Sequence, residues 1–239
     1  MTERRLDWDG CVNVRDLGGH LLPRGGHTAF GAVVRADSIR SLTDAGWKQL
    51  FTYGVRTIVD LRLPSELAED PPRALPVDVL HVPLVEEENE EAIAAIDSWE
   101  TTAGAYLEIL ERFRPNFGTA LTAIARAPAG GVLVHCRAGK DRTGLVIALL
   151  LRLAGVPPED IAADYGLSQT NIAHLTAAWI AESPDEAERA RRRRVSIGDP
   201  QSMIDVLAEL EARYGSVRGY LLAAGASEDD LDRAVARLL

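Results

Sequence analysis

The sequence predicts an α/β protein: a central, mainly parallel sheet flanked by helices, followed by an all-helical C-terminal part. Apolar runs that read as buried strands recur at residues 32–34, 55–61, 77–83 and 131–135. Continuous apolar runs are what parallel strands covered on both faces require. Helix-like stretches alternate with them, and from Pro158 onward only helix-like sequence remains.

Each element has its own signals. Thr43 can cap a helix running to about Tyr53, with Gly54 ending it. Residues 103–114 and 116–127 read as two helices separated by Pro115. Residues 145–153 form another, stopped by Gly155 and Pro157-Pro158. Residues 160–180 are amphipathic until Ser183-Pro184, and residues 186–194 are strongly charged, ending in four consecutive arginines, Arg191 to Arg194. Residues 158–198 are a candidate lid. The bland alternative is a solvated surface on which Glu182, Asp185, Glu186 and Glu188 offset the arginines.

At 239 residues, with 46% hydrophobic side chains and no repeat, one domain spanning 1–239 is expected. A net charge of −10 argues against nucleic acid as a partner, since phosphate backbones attract basic surfaces. Two cysteines, Cys11 and Cys136, make no disulfide framework and suggest a reducing compartment. No stretch approaches the ~18 apolar residues of a membrane span. The opening Met1-Thr2-Glu3-Arg4-Arg5-Leu6-Asp7-Trp8 lacks the apolar region of a secretory signal. The expected location is the cytoplasm, without stable membrane insertion.

The chemistry is concentrated in His135-Cys136-Arg137-Ala138-Gly139-Lys140-Asp141-Arg142-Thr143-Gly144, between an apolar strand and a helix start. Loop amides and a helix N-terminus there converge on one spot and favour an anion. The same field stabilises a thiolate at Cys136. Arg142 can return to that spot and grip two phosphate oxygens, with Arg137, Ala138, Gly139, Lys140 and Asp141 lining the rest of a substrate cradle. This is the Cys-x5-Arg pattern, which resembles the signature of cysteine-dependent phosphatases. A core cysteine would not need so many polar and glycine neighbours. The expected reaction is attack by Cys136 on phosphorus through a phosphocysteine intermediate, with Thr143 donating a hydrogen bond to the sulfur and His135 ordering the loop. Neither metal nor cofactor is needed.

The leaving oxygen needs a proton, and three carboxylate sources are open. Asp141 lies inside the loop. Asp60 ends the second apolar run, where ligands of parallel sheets gather, although it can also merely cap a turn. Glu86 and Glu87 begin an acidic run after the third apolar stretch, more often plain solvated surface. Asp141 is favoured, because a general acid must first be within reach.

Several segments together resemble the bacterial tyrosine phosphatase B family, the lipid-phosphatase-like group typified by mycobacterial enzymes. They are Asn13-Val14-Arg15-Asp16-Leu17-Gly18-Gly19, Val34-Arg35-Ala36-Asp37, Asp60-Leu61-Arg62, the loop from Cys136 to Gly144, and Tyr214-Gly215-Ser216-Val217-Arg218-Gly219-Tyr220-Leu221. The resemblance implies a cysteine-phosphatase fold and hydrolysis of phosphotyrosine, often with phosphoserine, phosphothreonine and phosphoinositides. Its partners would be a phosphorylated protein or a phosphoinositide. It further implies that helices after the loop can cover the site, and it admits export without a signal. Lys140 resembles loops that meet multiply phosphorylated rings, and Asp141 resembles loops with an internal acid.

Three function classes follow: an active phosphatase; a phospho-binding module without chemistry; and another anion reaction such as arsenate reduction or sulfur transfer. The intact Cys136, Asp141 and Arg142 favour the first. Arsenate reduction commonly needs further thiols, and only Cys11 is at hand. Within the first class the alternative main activity is phosphoinositide hydrolysis.

Overall fold

The computed structural model describes residues 4–71 and 76–239. Five strands, β1 (Arg15–Asp16), β2 (Val33–Ala36), β3 (Val55–Asp60), β4 (Asp78–His81) and β5 (Gly131–His135), form one sheet in the order β1-β2-β5-β3-β4. All neighbours are parallel except β1, which runs antiparallel to β2. β5 is the middle strand and is buried along its whole length, as its uninterrupted apolar sequence requires.

Side chains alternate across the sheet, so each strand feeds two cores. Val33, Val59, Leu61, Val132 and Val134 enter the larger one, and Val34, Ala36, Val55, Ile58 and Leu133 enter the smaller. Against the smaller core packs α1 (Asp44–Tyr53), capped by the Thr43 hydroxyl, which accepts from Gly46 N, and closed by Gly54 in the left-handed conformation. The larger core extends from Leu17 to Leu238.

The remaining helices are α2 (Pro64–Glu69), α3 (Glu90–Ser98), α4 (Thr102–Arg112), α5 (Arg114–Arg126), α6 (Asp141–Leu153), α7 (Pro158–Asn171), α8 (Ala173–Ala181), α9 (Glu186–Ser196), α10 (Pro200–Tyr214), α11 (Val217–Ala223) and α12 (Glu228–Leu238). α6 is buried without a break from Thr143 to Leu151, which suits a helix apolar on every side.

Several boundaries depart from the sequence expectation. β1 is an extra two-residue strand. The run at 77–83 keeps only four paired residues, all exposed on the edge strand β4. Some of the acidic run forms α3, whose first-turn Glu90 and Glu91 suit a helix N-terminus. The break between α4 and α5 falls at Phe113 rather than at Pro115, which sits in the first turn of α5, where a missing N–H costs nothing. Residues 160–180 split at Ile172 into α7 and α8, and α7 is partly core, burying Ile161, Ala162, Asp164, Tyr165 and Ser168.

Candidate active site

The carboxyl ends of β2, β3 and β5 lie level, with Ala36 and Asp60 both registered on His135. Such an edge is where parallel sheets hold ligands. The Cys136–Arg142 loop leaves β5 there and runs directly into α6, so the first-turn amides of α6, free of intrahelical acceptors, face the loop's interior.

Four consecutive carbonyls of the loop are turned outward, each by its own partner. His135 Nδ1 lies 3.1 Å from the Cys136 oxygen. Ser38 N donates to Arg137 O at 2.9 Å, Asn13 Nδ2 to Ala138 O at 3.0 Å, and Arg35 Nη2 to Gly139 O at 2.8 Å. Among the described residues, the amides of Ala138, Gly139 and Lys140 are spent on no protein acceptor. Carbonyls out and amides in make a concave nest for an anion. Gly139 has φ of +65°, and a Cβ there would stand 2.3 Å from the Ala36 carbonyl oxygen. Only glycine fits that turn.

The outer partners are themselves locked. Fully buried Asp164 on α7 accepts from Arg15 Nε at 3.0 Å and Arg35 Nη1 at 2.6 Å, and also pairs with Arg4. Ser168 Oγ accepts from Arg15 Nη2 at 2.9 Å, and Asn13 Oδ1 accepts from Arg15 Nη1 at 2.7 Å. Burial opposes the charge on Asp164, but the fields of Arg15, Arg35 and Arg4 outweigh it and hold the carboxyl far below its ordinary range. Burial, then the nearness of Arg15, brings the Arg35 guanidinium down to about 10. Arg35 therefore remains charged at neutral pH.

Cys136 is 2% exposed, at the bottom of the loop. Arg142 is gripped from the far side by Glu66 on α2, through Nη1–Oε2 at 2.5 Å and Nη2–Oε1 at 2.9 Å. Burial would raise the Glu66 pKa, but the hydrogen bonds and charge of Arg142 hold it below the usual carboxylate range. Glu66 also accepts from Leu63 N at 2.8 Å, and Glu87 accepts from Ser65 N at 2.7 Å, so the start of α2 is fastened from both sides. Glu86 is exposed.

Asp141 opens α6, partly exposed, and accepts from the Tyr106 hydroxyl, which lies 2.8 Å from the Tyr165 hydroxyl. Burial and the charge of Asp141 push the Tyr106 pKa well up, so that hydroxyl keeps its proton. Asp60 is placed differently. It is buried, and both of its oxygens accept from Arg62 at 2.8–3.1 Å, with His135 Nε2 at 3.6 Å. Burial works against its charge, yet His135 and Arg62 keep it below the ordinary range.

Lys140 does not face the cradle's opening. It is buried, donates from Nζ to the Ser196 carbonyl at 2.8 Å, and stands 3.6 Å from Asp141. Thr143 is fully buried, and among the described residues its hydroxyl has no hydrogen-bond partner, the sulfur of Cys136 included. Arg137 is exposed beside the cradle. Cys11 is a free thiol, donating to Ser38 O at 3.5 Å; burial, then Asp37, pushes its pKa well up. Among the described residues no cluster of histidines, cysteines and carboxylates could hold a metal.

Sequence reasoning missed Glu66, Tyr106, Ser168 and Asp164. Glu66 had a signal: Pro64 followed by Glu66 is the pattern of a helix start, with the glutamate reaching back to its own first turn. Asp164 had none, since its partners lie 129 and 149 residues away.

A model described as "Tyrosine phosphatase family" matches residues 6–239. A "Tyrosine-protein phosphatase" from Nostoc commune is 33% identical over 221 residues, covering 87% of this chain and 74% of that protein. "Triple specificity protein phosphatase PtpB" from Mycobacterium tuberculosis is 29% identical over 245 residues, covering 85% of this chain and 89% of that one. The crystal structure of P. aeruginosa TpbA is 20% identical, covering 81% of this chain and 86% of that one, with a TM-score of 0.34.

Proposed function

Since the chain belongs to the tyrosine phosphatase family, and is a phosphatase by that membership, we propose that it hydrolyses phosphotyrosine in proteins through a phosphocysteine intermediate on Cys136. The observation that carries the reading is the set of four outward-held carbonyls, residues 136–139, which leaves the loop amides free for a phosphoryl group.

In this mechanism the amides and Arg142 bind the non-bridging oxygens, and Cys136 Sγ attacks phosphorus as its thiolate. The S–P bond forms, the ester P–O bond breaks, and the leaving oxygen takes a proton from Asp141. Water then attacks phosphorus and returns its proton to the Asp141 carboxylate. The S–P bond breaks and inorganic phosphate departs. The catalysis lies mostly in charge stabilisation on the equatorial oxygens by donors already in place.

Asp141 is assigned the acid role on geometry. It is partly exposed at the loop, whereas Asp60 is buried with both oxygens committed to Arg62 and has no proton to give. Asp60 instead sets the turn that leads to α2. Thr143 is assigned no role in binding the sulfur of the resting enzyme.

Activity on phosphoserine and phosphothreonine is the second element of the proposal, supported by the PtpB relative's name. Phosphoinositide hydrolysis is implied by the family resemblance and would be served by Lys140 reaching a second phosphate; the lysine's bond to Ser196 instead favours phosphotyrosine as the main substrate. The test is hydrolysis of a phosphotyrosine peptide by wild type and Cys136→Ser, with acid-quenched enzyme weighed by mass spectrometry. A phosphoryl adduct on Cys136 and no turnover in the variant are expected. Turnover by Cys136→Ser within roughly tenfold of wild type, a barrier change of only ~1.4 kcal/mol, would end the covalent mechanism.

A further inference from the structure

Two helices outside the phosphate loop each send a tyrosine toward the start of α6. Tyr106 of α4 and Tyr165 of α7 are both buried, their rings edge to face with centroids 6.2 Å apart and their hydroxyl oxygens at 2.8 Å. Each phenol has a single proton to give, so one hydrogen bond between the two leaves one proton over. That proton is spent outward, on Oδ1 of Asp141, whose side chain is 44% exposed at the loop.

The direction of this chain follows from its end. An ionised carboxylate only accepts, so Tyr106 donates to Asp141 and Tyr165 donates to Tyr106. Burial, then the charge of Asp141, pushes both tyrosine pKa values well up, so neither hydroxyl loses its proton at neutral pH. Lys140 Nζ stands 3.6 Å from the same Oδ1. Among the described residues Oδ2 takes no hydrogen bond. One carboxyl oxygen is anchored from within the protein and the other is uncommitted. The anchor has something to resist: the free first-turn amides of α6 attract a carboxylate as readily as they attract a phosphoryl group.

We propose that Tyr106, backed by Tyr165, is a positioning residue for the general acid: it holds Asp141 by Oδ1, so that the proton given to the leaving oxygen is carried on Oδ2. A donated hydrogen bond and the nearby Lys140 charge both disfavour a proton on Oδ1. The inference rests on the acid role assigned to Asp141 above and adds the side chains that aim it.

The experiment compares kcat/KM for phenyl phosphate, whose leaving oxygen needs a proton, and for p-nitrophenyl phosphate, whose leaving oxygen does not. The proteins are wild type, Asp141→Asn, Tyr106→Phe and the double variant Tyr106→Phe/Tyr165→Phe, each also melted thermally. Asp141→Asn should lose more on phenyl phosphate than on p-nitrophenyl phosphate. Tyr106→Phe should show the same selectivity, losing about tenfold on phenyl phosphate, the scale of one hydrogen bond to a charged group. It also strands the buried Tyr165 hydroxyl and should lower the melting temperature. The double variant removes both polar groups, so it should regain stability without regaining phenyl phosphate hydrolysis. No loss in Tyr106→Phe, equal losses on the two substrates, or a loss that the double variant restores would overturn the positioning role while Asp141→Asn keeps its selectivity. An Asp141→Asn variant without that selectivity would remove the acid assignment, and this inference with it.

Discussion

Glu66 and Arg142 face each other in two parallel hydrogen bonds, so the loop's arginine is held from outside the loop by a helix that begins just after β3. The pairing orients the guanidinium and also offsets some of its charge. These effects oppose one another when a phosphate arrives. Glu66→Gln should therefore lower kcat about tenfold, the scale of one lost charge-assisted hydrogen bond. Inhibition by inorganic phosphate should grow no weaker. A variant with unchanged kcat would remove Glu66 from the positioning of Arg142.

The acid assignment predicts a leaving-group effect. Asp141→Asn should depress kcat strongly for phosphotyrosine and much less for p-nitrophenyl phosphate, whose leaving oxygen is stable without a proton. Asp60→Asn should show no such dependence, because its defect would be a loosened Arg62 and a misplaced α2. The opposite pattern would move the acid to Asp60.

Asp164→Asn should destabilise the fold by ~3–5 kcal/mol, since it strands buried Arg15 and Arg35 without their counter-charge. The sign with pH follows from the depressed pKa values of Asp164 and Glu66. Their contribution is fully present above the unfolded carboxylate value of about 4 and is lost as pH falls through the lower folded values. Thermal melts should thus fall away in acid for wild type and more gently for Asp164→Asn.

Lys140→Ala should reduce kcat/KM by the same factor for a phosphotyrosine peptide and for a soluble inositol phosphate, because the lysine holds Ser196 rather than a substrate phosphate. It should also speed cleavage by trypsin near Arg193 and Arg194, since the end of α9 loses an anchor. A selective loss on the inositol phosphate would restore the lysine to substrate recognition.

The sequence was most legible where one local signal sufficed. β5 runs from Gly131 to His135 as its apolar run indicated, and the Thr43 cap and Gly54 stop bracket α1. Cys136, Arg142 and Asp141 stand together because they share one short loop. What could not be read depends on chain returning from afar. β1 is two residues long and is defined by its pairing with β2, 17 or more residues further along the chain. The segment around Asn13 and Arg35 was recognisable as a pattern, but that it carries the loop's carbonyls follows from a sheet register and from Asp164 on a distant helix. Lys140 shows the reverse case: its place in the loop is plain from the sequence but its direction is not, because its partner is a backbone carbonyl, to which any residue type could contribute.

The sheet order has a bearing on how the chain is born. β5 lies between β2 and β3 but is made after both. A nascent chain ending before Gly131 can hold β1 with β2 and β3 with β4, and α1 can bridge them, yet no strand pairing joins the two pairs. The arrival of β5 closes the gap and delivers the Cys136 loop in the same stroke, while Asp164, which locks Asn13, Arg15 and Arg35 behind it, emerges later still. Such long-range closure is slow compared with helix formation, so the ribosome releases a nucleophile and its cradle nearly together, and no shorter fragment carries the thiol in a finished site.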